Sequence, residues 1–159
     1  MGKICCFTGH RDVPDEAVRA IFENLEGMLT HLIEDEGVTD FRAGGAIGFD
    51  TIAAMVVLKL KRKYPHIKLH LMLPCKNQDY KFTSTQKTLY RFTISSADSV
   101  EYTRERYSST AMHARNRALV SGSDFCVYFL DHLHGGTYYT VNYARSHNVP
   151  VFDILKYKK

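Results

Sequence analysis

Strand-like and helix-like segments alternate along the whole chain, which predicts a doubly wound α/β domain with a mainly parallel sheet and helices on both faces. Two further observations agree. Of the 159 residues, 45% are hydrophobic and 24% charged, ordinary values that exclude disordered and fibrous classes. No internal repeat, low-complexity tract or Pro/Gly-rich linker divides the chain, so a single domain over residues 1–159 is expected. A chain of this length buries roughly 70% of its unfolded surface, and its core needs neither disulfides nor a structural metal.

Residues 3–8 are a short apolar run ending at Gly9, as a buried strand would. Pro14 suits the first turn of a helix, with Asp15 and Glu16 favourable at its positive end. Val18, Ile21, Leu25, Met28, Leu29, Leu32 and Ile33 recur at three and four residues, an amphipathic stripe that Gly37 ends. Residues 38–43 read as the second strand. After Gly44-Gly45 a helix runs over about 48–64; it is apolar nearly all round from Ile52 to Leu58, which predicts cover on most sides, and Pro65 ends it.

Residues 67–73 alternate as a third strand closed by Pro74. Residues 77–96 read as a helix within a longer loop, 99–102 as a short strand, 109–120 as a helix and 124–130 as a strongly buried strand. Gly135-Gly136 opens a last helix through His147, and 150–155 make the final strand.

Lys and Arg number 21 against 17 acids, a net charge of +4 that fits anionic ligands but does not by itself announce a nucleic-acid binder. No apolar run approaches the ~20 residues of a membrane span. Met1-Gly2-Lys3 leads straight into a strand without a signal-peptide pattern, so a cytoplasmic location and no membrane partner are expected. Cys5, Cys6, Cys75 and Cys126 form no Cys-x-x-Cys pair and are expected to behave as small buried hydrophobes.

In a doubly wound sheet, ligands bind beyond the carboxyl ends of the strands, where strand order reverses. Three glycine-bearing segments fall at such ends: Thr8-Gly9-His10-Arg11, then Gly44-Gly45-Ala46-Ile47-Gly48-Phe49-Asp50, then Gly135-Gly136-Thr137. Gly44, Gly45 and Gly48 let backbone amides approach a phosphate or sugar at a helix start, or simply make a tight turn. Their spacing is not the dinucleotide fingerprint, and no Walker lysine follows. Asp50 falls in a first helical turn, suited to accept from ribose hydroxyls or a base edge but not to meet a phosphate. Arg11 offers a planar fork for phosphate with His10 beside it. Thr137 either holds an anion or caps its helix. Arg115 and Arg117 point about 200° apart on a helix, so Arg115, with Asn116, is expected in the cleft and Arg117 in solvent.

Taken in order, Thr-Gly-His-Arg, Gly-Gly-Ala-x-Gly-x-Asp, Arg-Asn ahead of Ser123-Asp124, and Gly-Gly-Thr resemble the SLOG superfamily, and within it the YpsA/YoqJ-like group, over essentially the whole chain. The resemblance implies a Rossmann-like fold whose glycine loops bind nucleotides or nucleotide-derived ligands. Met112-His113-Ala114-Arg115-Asn116, with Asp124 nine residues after Arg115, also resembles the Lonely-guy phosphoribohydrolases. Their following Pro-Gly-Gly-x-Gly-Thr-x-x-Glu motif is not reproduced. Asn142 or Thr140 stands where its Glu would be, and neither is a carboxylate acid or base.

A binding role, as sensor or carrier for a nucleotide-like small molecule, is therefore expected through Gly9, His10, Arg11, Gly44, Gly45, Gly48, Asp50, Arg115, Asn116, Gly135, Gly136 and Thr137. The alternative is a nucleoside 5'-monophosphate phosphoribohydrolase or other nucleotide N-glycosidase, with Asp50 as its catalytic acid. A third reading is single-stranded nucleic-acid binding, as in the DNA-processing protein A family, to which the superfamily resemblance also extends. The run Lys59, Lys61, Arg62, Lys63 and the aromatics Tyr80, Phe82, Tyr90 and Phe92 would serve it, but cations at a helix C-terminus and packed aromatics explain them as well. His132 and His134 have no third ligand at a recognisable spacing, so no metal is expected. Ser108 and Ser109 lack a nucleophile elbow. Tyr139 and Tyr143 share a helical face as core or homodimer contacts.

Overall fold

Six parallel strands form one sheet in the order β4-β3-β2-β1-β5-β6 in a computed structural model that describes residues 2–104 and 108–157. The strands are β1 (Lys3–Gly9), β2 (Val38–Ala43), β3 (Lys68–Leu73), β4 (Ser99–Tyr102), β5 (Phe125–Phe129) and β6 (Val151–Asp153). The chain starts at β1, steps outward to β4, then returns to lay β5 and β6 on the other side of β1. Strand order therefore reverses between β1 and β5, and the crevice of a doubly wound sheet opens there.

Helices α1 (Asp15–Glu34), α2 (Phe49–Lys61) and α3 (Ser84–Ser96) pack in sequence on one face, whereas α4 (Ser109–Val120) and α5 (Gly136–Ser146) pair on the other. Alternation along β1 divides its side chains between the two. Cys5 and Phe7 enter the larger core under α1 and α2; Cys6 enters a smaller one with Leu119, Val120, Cys126 and Ala144. All four cysteines are buried and free, as expected. Phe7 stacks on Phe41 at 5.9 Å and meets the edge of Phe49 at 6.4 Å. Phe7→Ala should cost about 3–5 kcal/mol, read as a lower urea midpoint at unchanged slope; a loss under about 1 kcal/mol would show that these rings are not the core's keystone.

The second face is only partly covered. Over β2 to β4 it is an open trough lined by Asp40, Lys68, His70, Ser99 and Glu101, which is why β3 alternates: Leu69, Leu71 and Leu73 are buried while Lys68 is exposed. His70 bridges three strands, with Nε2 2.7 Å from Asp40 and Nδ1 2.6 Å from Ser99. Arg42 leaves β2 to donate to the Ser121 carbonyl at 2.6 Å, satisfying the open end of α4.

Several element details differ from expectation. Pro14 is the N-cap of α1 rather than part of its first turn, and Val18 stays 36% exposed because the packed stripe begins at Ile21. Helix α2 ends at Lys61, ahead of the expected boundary, as its last turn tightens around Leu60. The stretch expected as a helix within a longer loop divides into a 3-10 turn (Gln78–Lys81) and α3, whose start is fixed by a reciprocal Thr83–Gln86 capping box. Strand β6 stops at Asp153 because that side chain accepts from the Leu155 amide and begins a 3-10 turn.

Candidate functional site

The ends of β1, β5 and α2 are tied together through His10. Its N–H donates to the Phe129 carbonyl (3.3 Å), and its carbonyl accepts from the Phe49 N–H (3.2 Å). Gly9 is needed there because a side chain would run into the Phe49 ring. Gly48, at φ +79°, faces the Arg11 backbone, so the β1 and β2 loops lie against each other without room for a Cβ.

Above this junction is a cavity of about 470 Å³, open to solvent at the point where strand order reverses. The β1 loop contributes Gly9, His10 and Arg11; α2 contributes Asp50; α4 contributes Arg115 and Asn116; and the start of α5 contributes Gly136 and Thr137. Eight of the expected site residues thus come together from four parts of the chain. The other four do not line this cavity. Gly44 lies behind it, its carbonyl accepting from Arg115, and a Cβ there would strike that guanidinium and stand 2.9 Å from Asp50 Oδ2. Gly45 packs on Leu73, Gln78 and Tyr90. Gly48 borders a neighbouring smaller cavity, and Gly135 is the exposed N-cap of α5.

Asp50 is 4% exposed, in the first turn of α2. Its Oδ2 accepts from the Ala46 N–H at 3.2 Å, so the backbone amide expected to meet a ligand serves this carboxylate. Its Oδ1 is buried with no partner. Burial pushes the Asp50 pKa up to about 6, against the opposing pull of Arg115, the Ala46 amide and Arg11. Arg115 is equally buried; burial draws its pKa down and Asp50 draws it back up. Its Nε donates to Asn116 Oδ1 at 2.8 Å and its Nη1 to the Gly44 carbonyl. Arg115 and Asp50 flank Gly44 without forming a direct ion pair. Arg117 is exposed, on the opposite side of α4 from buried Arg115, as expected.

Thr137 is buried one residue inside α5, and the cap is Gly135, so plain capping does not account for it. His10 is 8% exposed; burial first, then His132, holds its pKa below the ordinary imidazole value. Sequence reasoning did not assign Thr8, Asp12, Ser109, Met112, His113, Leu119 or His132 to the cavity wall. The loop after β5 carries His132, and the rule that sites lie at a switch point would have pointed to it.

Other sequence features are absorbed by the fold. Lys59 pairs with Glu26 at 2.8 Å and Lys61 with Asp98 at 2.5 Å. Tyr90 is buried edge-on to Phe82, with its pKa pushed up to about 12 by burial, whereas Tyr80 and Phe92 stand exposed, so the four aromatics do not form one stacking platform. Ser108 caps α4 through the Ala111 N–H at 3.0 Å. Asp124 accepts from the Ile4 N–H at 2.9 Å just ahead of β5, at the amino end of the strand and away from the cavity. Tyr139 and Tyr143 do share a face, with ring centroids 6.4 Å apart. No helix among the described residues is long and apolar enough to cross a membrane.

Comparison with known proteins agrees with this architecture. The profile of the YspA SLOG family (YpsA) matches residues 5–154. The chain is 30% identical over 135 residues to the uncharacterized SPbeta prophage-derived protein YoqJ of Bacillus subtilis, across 77% of this chain and 79% of YoqJ. It is also 30% identical over 144 residues to a UPF0398 protein of Bacillus pumilus, across 85% of this chain and 77% of that one. Among solved structures, DNA processing protein A of Helicobacter pylori, described for its single-stranded DNA binding mode, is similar with a TM-score of 0.69 at 17% identity. That likeness covers 96% of this chain but 65% of the other, and it is one of fold.

Proposed function

This chain belongs to the YspA SLOG family, and from that premise we propose that it is a binding domain for a nucleotide or nucleotide-derived small molecule, acting as a sensor or carrier. The observation that carries the reading is a buried oxygen without a partner on Asp50, a residue that lines a polar cavity at the reversal of strand order. A buried acceptor left unsatisfied costs about 1–3 kcal/mol, and a ribose hydroxyl or base-edge N–H supplies the missing donor. Exposed Arg11 and the amides at the start of α5 provide for a phosphate. Arg115 commits Nε and Nη1 to protein acceptors, which leaves its Nη2 donors for the ligand. At about 470 Å³ the cavity suits a small molecule, within the ~300–1,000 Å³ of typical ligand sites.

A thermal-unfolding screen against nucleoside monophosphates, dinucleotides and ADP-ribose-like compounds tests this. A true ligand at a hundred times its Kd stabilises the fold by about 2.7 kcal/mol. Arg11→Ala, a surface change, should weaken that ligand by tenfold or more with only a small change in the unliganded midpoint. A panel without a shift, or an affinity indifferent to Arg11, would count against the reading. Single-stranded oligonucleotides belong in the same screen, since affinity falling steeply with salt would mark the nucleic-acid alternative.

A second reading has its own support. A carboxyl with a pKa of about 6 in a cavity is poised for general acid–base work near neutral pH. Release of free base from a nucleoside monophosphate, abolished in Asp50→Asn, would make this chain an N-glycosidase.

A further inference from the structure

The loops after β1 and β5 meet at the rim of the cavity and bring His10 to two imidazoles and a carboxylate some 120 residues further along the chain. His10 and His132 stack with ring centroids 3.6 Å apart and planes within 9°, and the His134 ring lies 4.1 Å from that of His132. Asp131 Oδ1 stands 2.5 Å from His132 Nδ1 and 3.4 Å from His10 Nε2. One donor atom from each of His10, Asp131 and His132 lies within 4.8 Å of the other two. We propose that these three residues bind a divalent transition metal of the zinc class at the mouth of the cavity.

The observation that points to a ligand is His10. It is more than nine-tenths buried, yet its Nε2 has no hydrogen-bond partner, and the approach of Asp131 lacks hydrogen-bond geometry. Its backbone is anchored through Phe129 and Phe49, and its ring packs edge-on to Phe129 at 6.0 Å. The partner loop behaves consistently. It turns Leu133 to solvent at 74% exposure while placing His132 against His10, the reverse of what apolar burial alone favours.

Two imidazole nitrogens and one carboxylate oxygen suit Zn²⁺, Co²⁺, Ni²⁺ or Fe²⁺, whereas Mg²⁺ and Ca²⁺ prefer all-oxygen sets. Metal–ligand bonds of about 2.0–2.2 Å set donor atoms a little over 3 Å apart, a spacing His10 and Asp131 already approach; because an ion must lie near the plane of each imidazole, the parallel stack has to open, His132 rotating off His10 to complete the set. His134, whose ring lies 4.1 Å from that of His132, stands close by as a further imidazole. Because His10 and His132 line the cavity, a coordination position left by the protein is filled from that side by water. On the nucleotide reading above, and only on it, a phosphate oxygen takes that position.

The test uses metal alone, on untagged, chelator-stripped protein. Co²⁺ binding is followed by its visible absorption, and Zn²⁺ binding by calorimetry. One ion per chain is expected, with Co²⁺ bands that Zn²⁺ bleaches. Asp131→Ala and His132→Ala, both changes in a surface loop, should each weaken Zn²⁺ by at least about tenfold, as should His10→Ala, while His113→Ala on the same cavity wall leaves affinity unchanged. Absence of binding to the wild-type protein, or equal affinity in Asp131→Ala and His132→Ala, overturns the proposal. Nucleotide binding is read separately in chelator, so failure of one reading is not mistaken for failure of the other.

Discussion

Asn in place of Asp50 should raise the thermal midpoint at pH 7 and leave it unchanged near pH 4. Burial lifts the Asp50 pKa from the unfolded value of 3.8 to about 6. Between those values the native state binds the proton that the unfolded state has released, so wild-type stability falls as pH rises through that window. Above it the whole cost is present. At 1.36 kcal/mol per pKa unit the gap of about two units is worth on the order of 3 kcal/mol, and the pull of Arg115 is already contained in it. For a chain of this size that corresponds to about 6–12 °C. Asn imitates the neutral carboxyl and escapes the cost. The difference between the two proteins across pH isolates this one group, and equal midpoints at pH 7 would mean that water or an unrecognised donor already satisfies Oδ1. The same substitution should weaken the nucleotide ligand, so stability and binding move in opposite directions, as at sites where function holds a group in an unfavourable state.

Arg115→Met carries the second large effect. It removes the donors to the Gly44 carbonyl and Asn116, and withdraws the positive charge that offsets Asp50. Truncating one partner of a buried charged network costs about 3–5 kcal/mol, and we expect the lower end because Asp50 can take up a proton. Ligand binding should be lost. Without Arg115 the Asp50 pKa climbs further, so Asp50→Asn should recover more stability in the Arg115→Met background than in the wild type. Denaturant midpoints of the two single variants and the double variant measure this coupling. Additivity within about 0.5 kcal/mol would show that the two residues act independently.

Much of the architecture was legible in the order of the residues. The seven-residue stripe of α1, the glycines at strand ends and the alternation of β3 depend on near neighbours, and periodicity reports near neighbours faithfully. In the weakly periodic stretch after β3 the expected helix is present, but its start was not legible because it is set by a Thr83–Gln86 capping box rather than by an apolar face. Val18 was misplaced because a stripe says which side of a helix is apolar, not how far along it the neighbouring packing extends.

The candidate site divides along the same line. Sequence alone determined that the domain is a doubly wound α/β fold, that glycine-bearing segments stand at its strand ends, and that Arg115 and Arg117 face opposite ways, since 3.6 residues per turn fixes their divergence locally. Only the tertiary structure decided which glycines face the cavity and which absorb packing. It alone left Asp50 Oδ1 without a partner and brought His10 beside Asp131 and His132. Those outcomes follow from strand order, because placing β5 beside β1 joins loops some 120 residues apart; solvent exclusion and partnering at that junction depend on neighbours that no local pattern encodes.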